Sequence, residues 1–260
     1  MRAVCAARVF LYGLFDRLPH AVTTKYCARL GLIGFFIVAG LSACFAAVVA
    51  FLPVKVHLSA KQPYSLITVR NQSAVPVTFE TSLFRWQQSS GVDALVPSED
   101  LVVSPPIFVV QAGKAQVVRI RLLDAPDAAA ETHFRIIFNE LSSTTRNKSG
   151  HLVAMTVSLP VFVAPISTVS ANVETAIARS GQSLTLTVAN QGNVHAQLGR
   201  VYREKDGERD PNPVSMLGYV LPGNKREFTF EQPDYLSADA LVAIFADGQE
   251  IRVPVPPPRQ

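Results

Sequence analysis

Residues Leu152 to Val163 read LVAMTVSLPVFV and are followed by Ala164-Pro165-Ile166-Ser167. The odd positions from Val153 to Val163 are Val, Met, Val, Leu, Val and Val, with Ala154, Thr156 and Ser158 between them. Side chains two residues apart on a strand share a face, so this stretch predicts a strand with one continuous apolar ridge. Period alone leaves two readings of that ridge open: it packs on the strand's own core, or it is offered to a partner.

Six further short runs precede it: Val54–Ala60, Tyr64–Asn71, Val77–Gln87, Ile107–Val110, Gln116–Leu123 and His133–Leu141. Clusters of Pro, Gly, Asn and Ser separate them, and no 3.6-residue periodicity is sustained. Seven strands in about 110 residues is the count of an immunoglobulin-like sandwich. A second series follows: Ser183–Ala189, His195–Tyr202, Gly218–Leu221, Arg226–Glu231, Leu241–Phe245 and Gln249–Val255. Strong turn sequences divide it, among them Asn190-Gln191-Gly192-Asn193, Lys205-Asp206-Gly207 and Asp247-Gly248. The predicted fold is all-β, with two immunoglobulin-like β-sandwich domains over residues 47–165 and 166–260.

Of 260 residues, 48% are apolar and 17% charged, which suits a folded chain rather than a disordered one. The net charge of +4 is uneven. Arg2, Arg8, Arg17, Lys25 and Arg29 face Asp16 alone in the first 46 residues, and beyond them 19 basic residues balance 19 acidic ones. A nucleic-acid partner calls for a basic footprint on the folded part, and none is visible. The basic residues precede an uncharged run, Leu30 to Leu52, in the order of a secretory signal. Residues 1–46 are therefore predicted to be a signal peptide, cleaved after Ala46, with a site before Phe51 as the alternative. The run is also long enough to span a bilayer, and Leu41-Ser42-Ala43-Cys44 is similar to a lipoprotein box; both alternatives stay open. Cys5, Cys27 and Cys44 all lie in this segment, so a processed chain is expected to have no disulfide.

The sequence has no G-x-S-x-G, P-loop, G-x-G-x-x-G or H-E-x-x-H motif. His57, His133, His151 and His195 are scattered. The residues thus predict no catalytic site, no metal site, no cofactor and no small-molecule substrate. Trp86, the one tryptophan, is expected at the centre of a sandwich core. On the residues alone the chain reads as a binding module and not an enzyme. The rivals are a secreted or membrane-attached module for carbohydrate or protein, which exposed aromatic platforms would favour, and a metal enzyme on a sandwich, which needs clustered histidines.

Four segments, in order, carry a resemblance. They are Val69-Arg70-Asn71-Gln72-Ser73 with Pro76-Val77; Arg85-Trp86-Gln87-Gln88 with Gly91; Leu101-Val102-Val103-Ser104-Pro105-Pro106-Ile107-Phe108 with Gly113, Gln116 and Val118-Arg119; and Glu131, Phe134-Arg135 and Asn139-Glu140-Leu141 with Leu159-Pro160-Val161-Phe162-Val163-Ala164-Pro165. Asn190-Gln191-Gly192-Asn193-Val194-His195 and Tyr219-Val220-Leu221-Pro222-Gly223 also fit. Together they resemble the periplasmic pilus-assembly chaperones of the chaperone–usher pathway (PapD-like), and within them the archaic, Csu-like branch.

That resemblance implies two sandwiches in an L-shaped arrangement, located in the periplasm. The implied partners are pilin or fimbrial subunits and an outer-membrane usher, and the free form is a candidate for self-association. A subunit that lacks its last strand exposes a groove and unpaired backbone, and the chaperone lends a strand to fill it. The lent strand here is the one ending at Pro165, with Val153, Met155, Val157 and Leu159 facing the subunit. The family holds the subunit's C-terminal carboxylate with two basic residues. Lys55 matches the first; the second position is Pro160 in this chain, and Arg135 on the preceding strand is the candidate replacement. Glu131 and Glu140, which flank Arg135, are candidate salt-bridge partners that would compete for it.

Overall fold

The computed structural model describes residues 49–89, 91–124, 128–141 and 154–257. The predicted signal segment with its cysteines, His151 and Val153 lie outside the described residues. Residues 47–260 form one compact unit, built from two sandwiches with separate apolar cores.

The first sandwich contains β1 (Val49–Leu52), β2 (Val56–Leu58), β3 (Tyr64–Asn71), β4 (Val77–Ser89), β5 (Val92–Pro97), β6 (Leu101–Ser104), β7 (Ile107–Val110), β8 (Ala115–Leu122), β9 (Thr132–Leu141) and β10 (Thr156–Val163). One sheet has the order β1-β3-β8-β6; the other runs β2-β10-β9-β4-β5, with β7 also on β4. Alternation builds the core. Ile67 and Val69 of β3, Val118 and Ile120 of β8, and Phe134, Ile136 and Phe138 of β9 are all at most 1% exposed. The second sandwich contains β11 (Val173–Ser180), β12 (Ser183–Asn190), β13 (Ala196–Lys205), β14 (Glu208–Arg209), β15 (Val214–Val220), β16 (Lys225–Phe230), the short helix α1 (Pro233–Leu236), β17 (Ala240–Phe245) and β18 (Glu250–Pro254). Its sheets are β11-β12-β16 and β14-β13-β17-β18, with β15 also on β13.

The all-β, two-sandwich reading is met, with instructive differences. The last residues of the apolar run from Leu30, Val49–Leu52, form β1. Phe51 is 7% exposed and meets Phe79 edge-on at 5.6 Å, so cleavage before Phe51 would remove half of a strand that fills the core. The predicted strand Val54–Ala60 shortens to β2, because Pro53–Lys55 carries the chain from one sheet to the other. β5 shows no alternation in its burial, being exposed at every position. Trp86 is 2% exposed, but it packs outside the first core, with Phe162, Leu221 and Tyr219. Its place in β4 explains this: it has the opposite parity to Val77, Phe79 and Leu83, which face the core.

Candidate functional site

β10 is antiparallel to β9 along its whole length, from Thr156 opposite Asn139 to Val163 opposite Thr132. On its other side β2 runs parallel to it, but only beside Val161–Val163. The cause is the sheet switch at Pro53–Lys55. The chain spends β1 in the opposite sheet and joins this one only at Val56, level with Val161. Among the described residues no strand pairs with the lane beside Thr156–Pro160.

Three hydrogen bonds show which groups face that lane. Met155 O accepts from Glu140 N–H at 2.9 Å and Met155 N–H donates to the Glu140 carboxylate, so Met155 faces β9. Ala164 N–H donates to Leu58 O at 2.9 Å, toward β2. Backbone groups alternate sides along a strand. Thr156 and Ser158 therefore present N–H and C=O to the open lane, and Pro160, level with the point where β2 joins, has no N–H to present there. A strand proline is tolerated where its missing N–H would face away from the ladder; this accounts for Pro160 within a buried strand without any loss to the β9 pairing.

The side chains of the predicted ridge lean inward. Leu159 is 5% exposed in the first core, and Met155 and Val157 are half-buried against it. Thr156 and Ser158, on the other face, are exposed. What β10 leaves open is its backbone edge, flanked by the uncovered parts of Met155 and Val157.

Of the two candidate cations, Lys55 lies at the closed end of that lane, whereas Arg135 is on β9, on the far side of β10. Lys55 stands where β2 is about to begin, half-buried. Its ammonium donates to Gln197 Oε1 of the second sandwich and lies 5.5 Å from the Tyr219 ring. Arg135 is directly across from Pro160 in the β9–β10 register. Its guanidinium stacks over Trp86 at 3.9 Å and lies 5.7 Å from the Tyr219 ring. The structure thus brings the two cations to one tyrosine. Burial pulls the Arg135 guanidinium below its ordinary value, against the opposing influence of Tyr219 and Asp93. Burial likewise pushes the Tyr219 phenol up, and Arg135 offsets part of the rise. Neither flanking carboxylate holds Arg135: Glu140 takes the Met155 N–H, and Glu131 turns to histidines.

Sequence reasoning missed the seam between the sandwiches. Glu131 Oε2 accepts from His133 Nε2 at 3.0 Å, His195 Nδ1 at 2.7 Å and the His195 N–H at 2.9 Å. Glu131 N–H donates to Asn193 O at 2.8 Å. Burial alone would raise the carboxyl; the bonds from His133 and His195 outweigh it and hold Glu131 at about 2, below its ordinary 4.5. The His195 ring stacks on Phe162 at 3.7 Å, and His57 stacks on the same phenylalanine at 5.5 Å. Burial lowers His57, helped by His195 and Lys55 and opposed by Glu131. Three histidines that are scattered in sequence thus converge. Even so, among the described residues no group of His, Cys, Asp and Glu has the arrangement of a metal site. Gln88 completes the seam: its amide donates to Tyr219 O at 2.9 Å and accepts from Leu221 N–H at 2.8 Å, as a backbone amide would.

Comparisons with known proteins bear on the fold and the family. The family described as "Pili and flagellar-assembly chaperone, PapD N-terminal domain" matches residues 49–169. Among curated proteins none matches the sequence. A chain of the CsuC–CsuE chaperone–tip adhesion subunit pre-assembly complex, from archaic chaperone-usher Csu pili of Acinetobacter baumannii, has a TM-score of 0.61 at 18% identity, covering 80% of this chain and 98% of that one. A chain of the Salmonella enterica SafA pilin–SafB chaperone complex gives 0.59 at 16%, covering 82% and 99%. The E. coli chaperone DraB gives 0.54 at 16%, covering 80% and 97%. Identities this low speak to the fold, and the assignment to a family rests on the match over the first sandwich. Residues 49–169, the first sandwich and the start of the connection after it, thus match the N-terminal domain of the PapD-like pili and flagellar-assembly chaperones.

Proposed function

We propose that this protein is a periplasmic chaperone of the archaic chaperone–usher type, which lends the open edge of β10 to a pilin subunit and delivers it to an outer-membrane usher. No covalent step is involved; the work is main-chain pairing and groove filling. The observation that carries the reading is the lane beside Thr156–Pro160, left uncovered by the sheet switch and closed at one end where Lys55 leads into β2. An exposed edge of this kind recruits an extended segment.

The two cations suit a terminal carboxylate, with charge-assisted hydrogen bonds in a partly desolvated setting. A segment whose carboxylate sits there runs in the same direction as β10. The family match over residues 49–169 supports the chaperone role, and chains of the same fold occur in complexes named for a tip adhesion subunit and for a pilin. The carbohydrate-module rival loses its main support, because Trp86, Phe162 and Tyr219 pack together at the seam instead of forming an open platform.

Asp at Met155 or Val157 would damage the protein's own core as well as any partner contact. Ser158→Pro is the cleaner variant, since it removes an N–H from the open lane and none from the β9 ladder. The variant should fold with an unchanged circular dichroism spectrum and lose co-purification with co-expressed pilin subunits. Capture at the wild-type level would defeat the edge-lending reading.

A further inference from the structure

The geometry points to Pro160 as the residue that selects where the lent-to segment must end. This inference rests on the edge-lending reading above and specifies the chain end that the lane accepts.

In a parallel ladder the N–H groups of alternate residues on one strand bond to carbonyls of the next. On β10 these are Thr156, Ser158, the position of Pro160, and Phe162, which already faces β2. A segment lying in the lane therefore finds N–H donors at Thr156 and Ser158. Its residue level with Leu159 would direct a carbonyl oxygen at the nitrogen of Pro160, which has no hydrogen to give. A chain that continued past this point would leave that oxygen buried without a donor, which weakens binding. It would also run into Lys55 and Val56, where β2 takes over the lane.

A chain that stops at this level avoids both penalties. Its last oxygen then belongs to a carboxylate, and the donor it lacks from the backbone is supplied by the ammonium of Lys55, the residue before β2 takes over the lane. The proline withholds the one backbone bond that an internal residue would need and a terminal carboxylate can do without. It thereby fixes register as well as chain end, since a shift by two residues places an internal carbonyl at the barren position.

The test uses protein produced from the full-length chain and three synthetic peptides of alternating valine and threonine, twelve residues long. One has a free carboxylate, one is amidated, and one carries two extra C-terminal residues. Titration calorimetry should show the free-carboxylate peptide binding at least fivefold more tightly than either of the others. Pro160→Val restores the N–H on the lane side while keeping an apolar strand-forming side chain, and Pro160→Ala serves as a second variant with less bulk. In both, the preference for the free-carboxylate peptide over the extended one should shrink to within twofold. Retention of the wild-type ratio by variants with unchanged melting temperature would overturn the role of Pro160 and leave the edge-lending reading intact. Failure of all three peptides to bind the wild-type protein would overturn that reading itself, and this inference with it.

Discussion

The ends of β3 and β12 carry the same device in the two sandwiches and put it to different use. Asn71-Gln72-Ser73-Ala74-Val75 follows one and Asn190-Gln191-Gly192-Asn193-Val194 the other, and both leading asparagines are 0% exposed. Asn71 Nδ2 donates to Val75 O at 2.7 Å and Val110 O at 3.0 Å, and its Oδ1 accepts from Ser73 N–H at 2.9 Å. Asn190 Nδ2 donates to Val194 O and Val220 O, each at 2.8 Å, and its Oδ1 accepts from Gly192 N–H at 2.9 Å. In both places one buried amide staples a turn to a neighbouring strand.

The tips of the turns differ. In the first, the Ser73 hydroxyl folds back on Asn71 Oδ1. In the second, a Cβ on Gly192 would stand 2.3 Å from Ser170 O, because the connection between the sandwiches passes over it. Asn193 binds Ala129 O and Thr168 O and receives the Glu131 N–H. One staple closes a sandwich; the other also holds the two sandwiches together.

Removing the asparagines should have the largest effect. Asn71→Ala and Asn190→Ala each leave buried carbonyls unpaired and should each cost about 4 kcal/mol in denaturant unfolding. Only Asn190→Ala should also expose the amides of His195 and Glu131 to faster hydrogen exchange; equal exchange in both variants would erase the distinction.

Acid comes next, and it should act on the seam through Glu131. Glu131 has a folded value of about 2 against an ordinary 4.5. Its stabilisation is complete above pH 4.5 and is lost as pH falls toward 2, about 3 kcal/mol in all. Glu131→Gln should flatten the fall in stability measured between those limits.

The tip exchange should be smaller. Gly192→Ser forces the connection aside and should cost about 2 kcal/mol. The reciprocal Ser73→Gly should cost under about 1 kcal/mol, and thermal melts of the pair measure the gap.

Period-two alternation made most strands legible, because one face of each lies on a core. It failed where that condition fails: β5 is exposed on both faces, and β1 hides at the end of an apolar run. Trp86 could have been placed from parity, since it is out of step with Val77 and Phe79 in the same strand. The repeated Asn-Gln pair was also in plain view, although only burial reveals what it does. Lys55 and Arg135 were reached through the family resemblance, whereas their meeting at Tyr219 depends on pairing between residues of different sandwiches. The seam was invisible for the same reason, with Glu131 and His195 separated by 64 positions.

The uncovered lane also bears on how the unoccupied protein behaves in a crowded compartment. Two such molecules meeting side by side would tend to knit their sheets into one, the first step toward fibrous growth. A proline on that flank leaves such a junction one bond short and limits how far it can zip. At the opposite border of the same sheet, Asp93 and Pro97 on β5 act as gatekeepers of the same kind. If the border is offered to a client as proposed above, the same sheet carries brakes against offering it to its own kind.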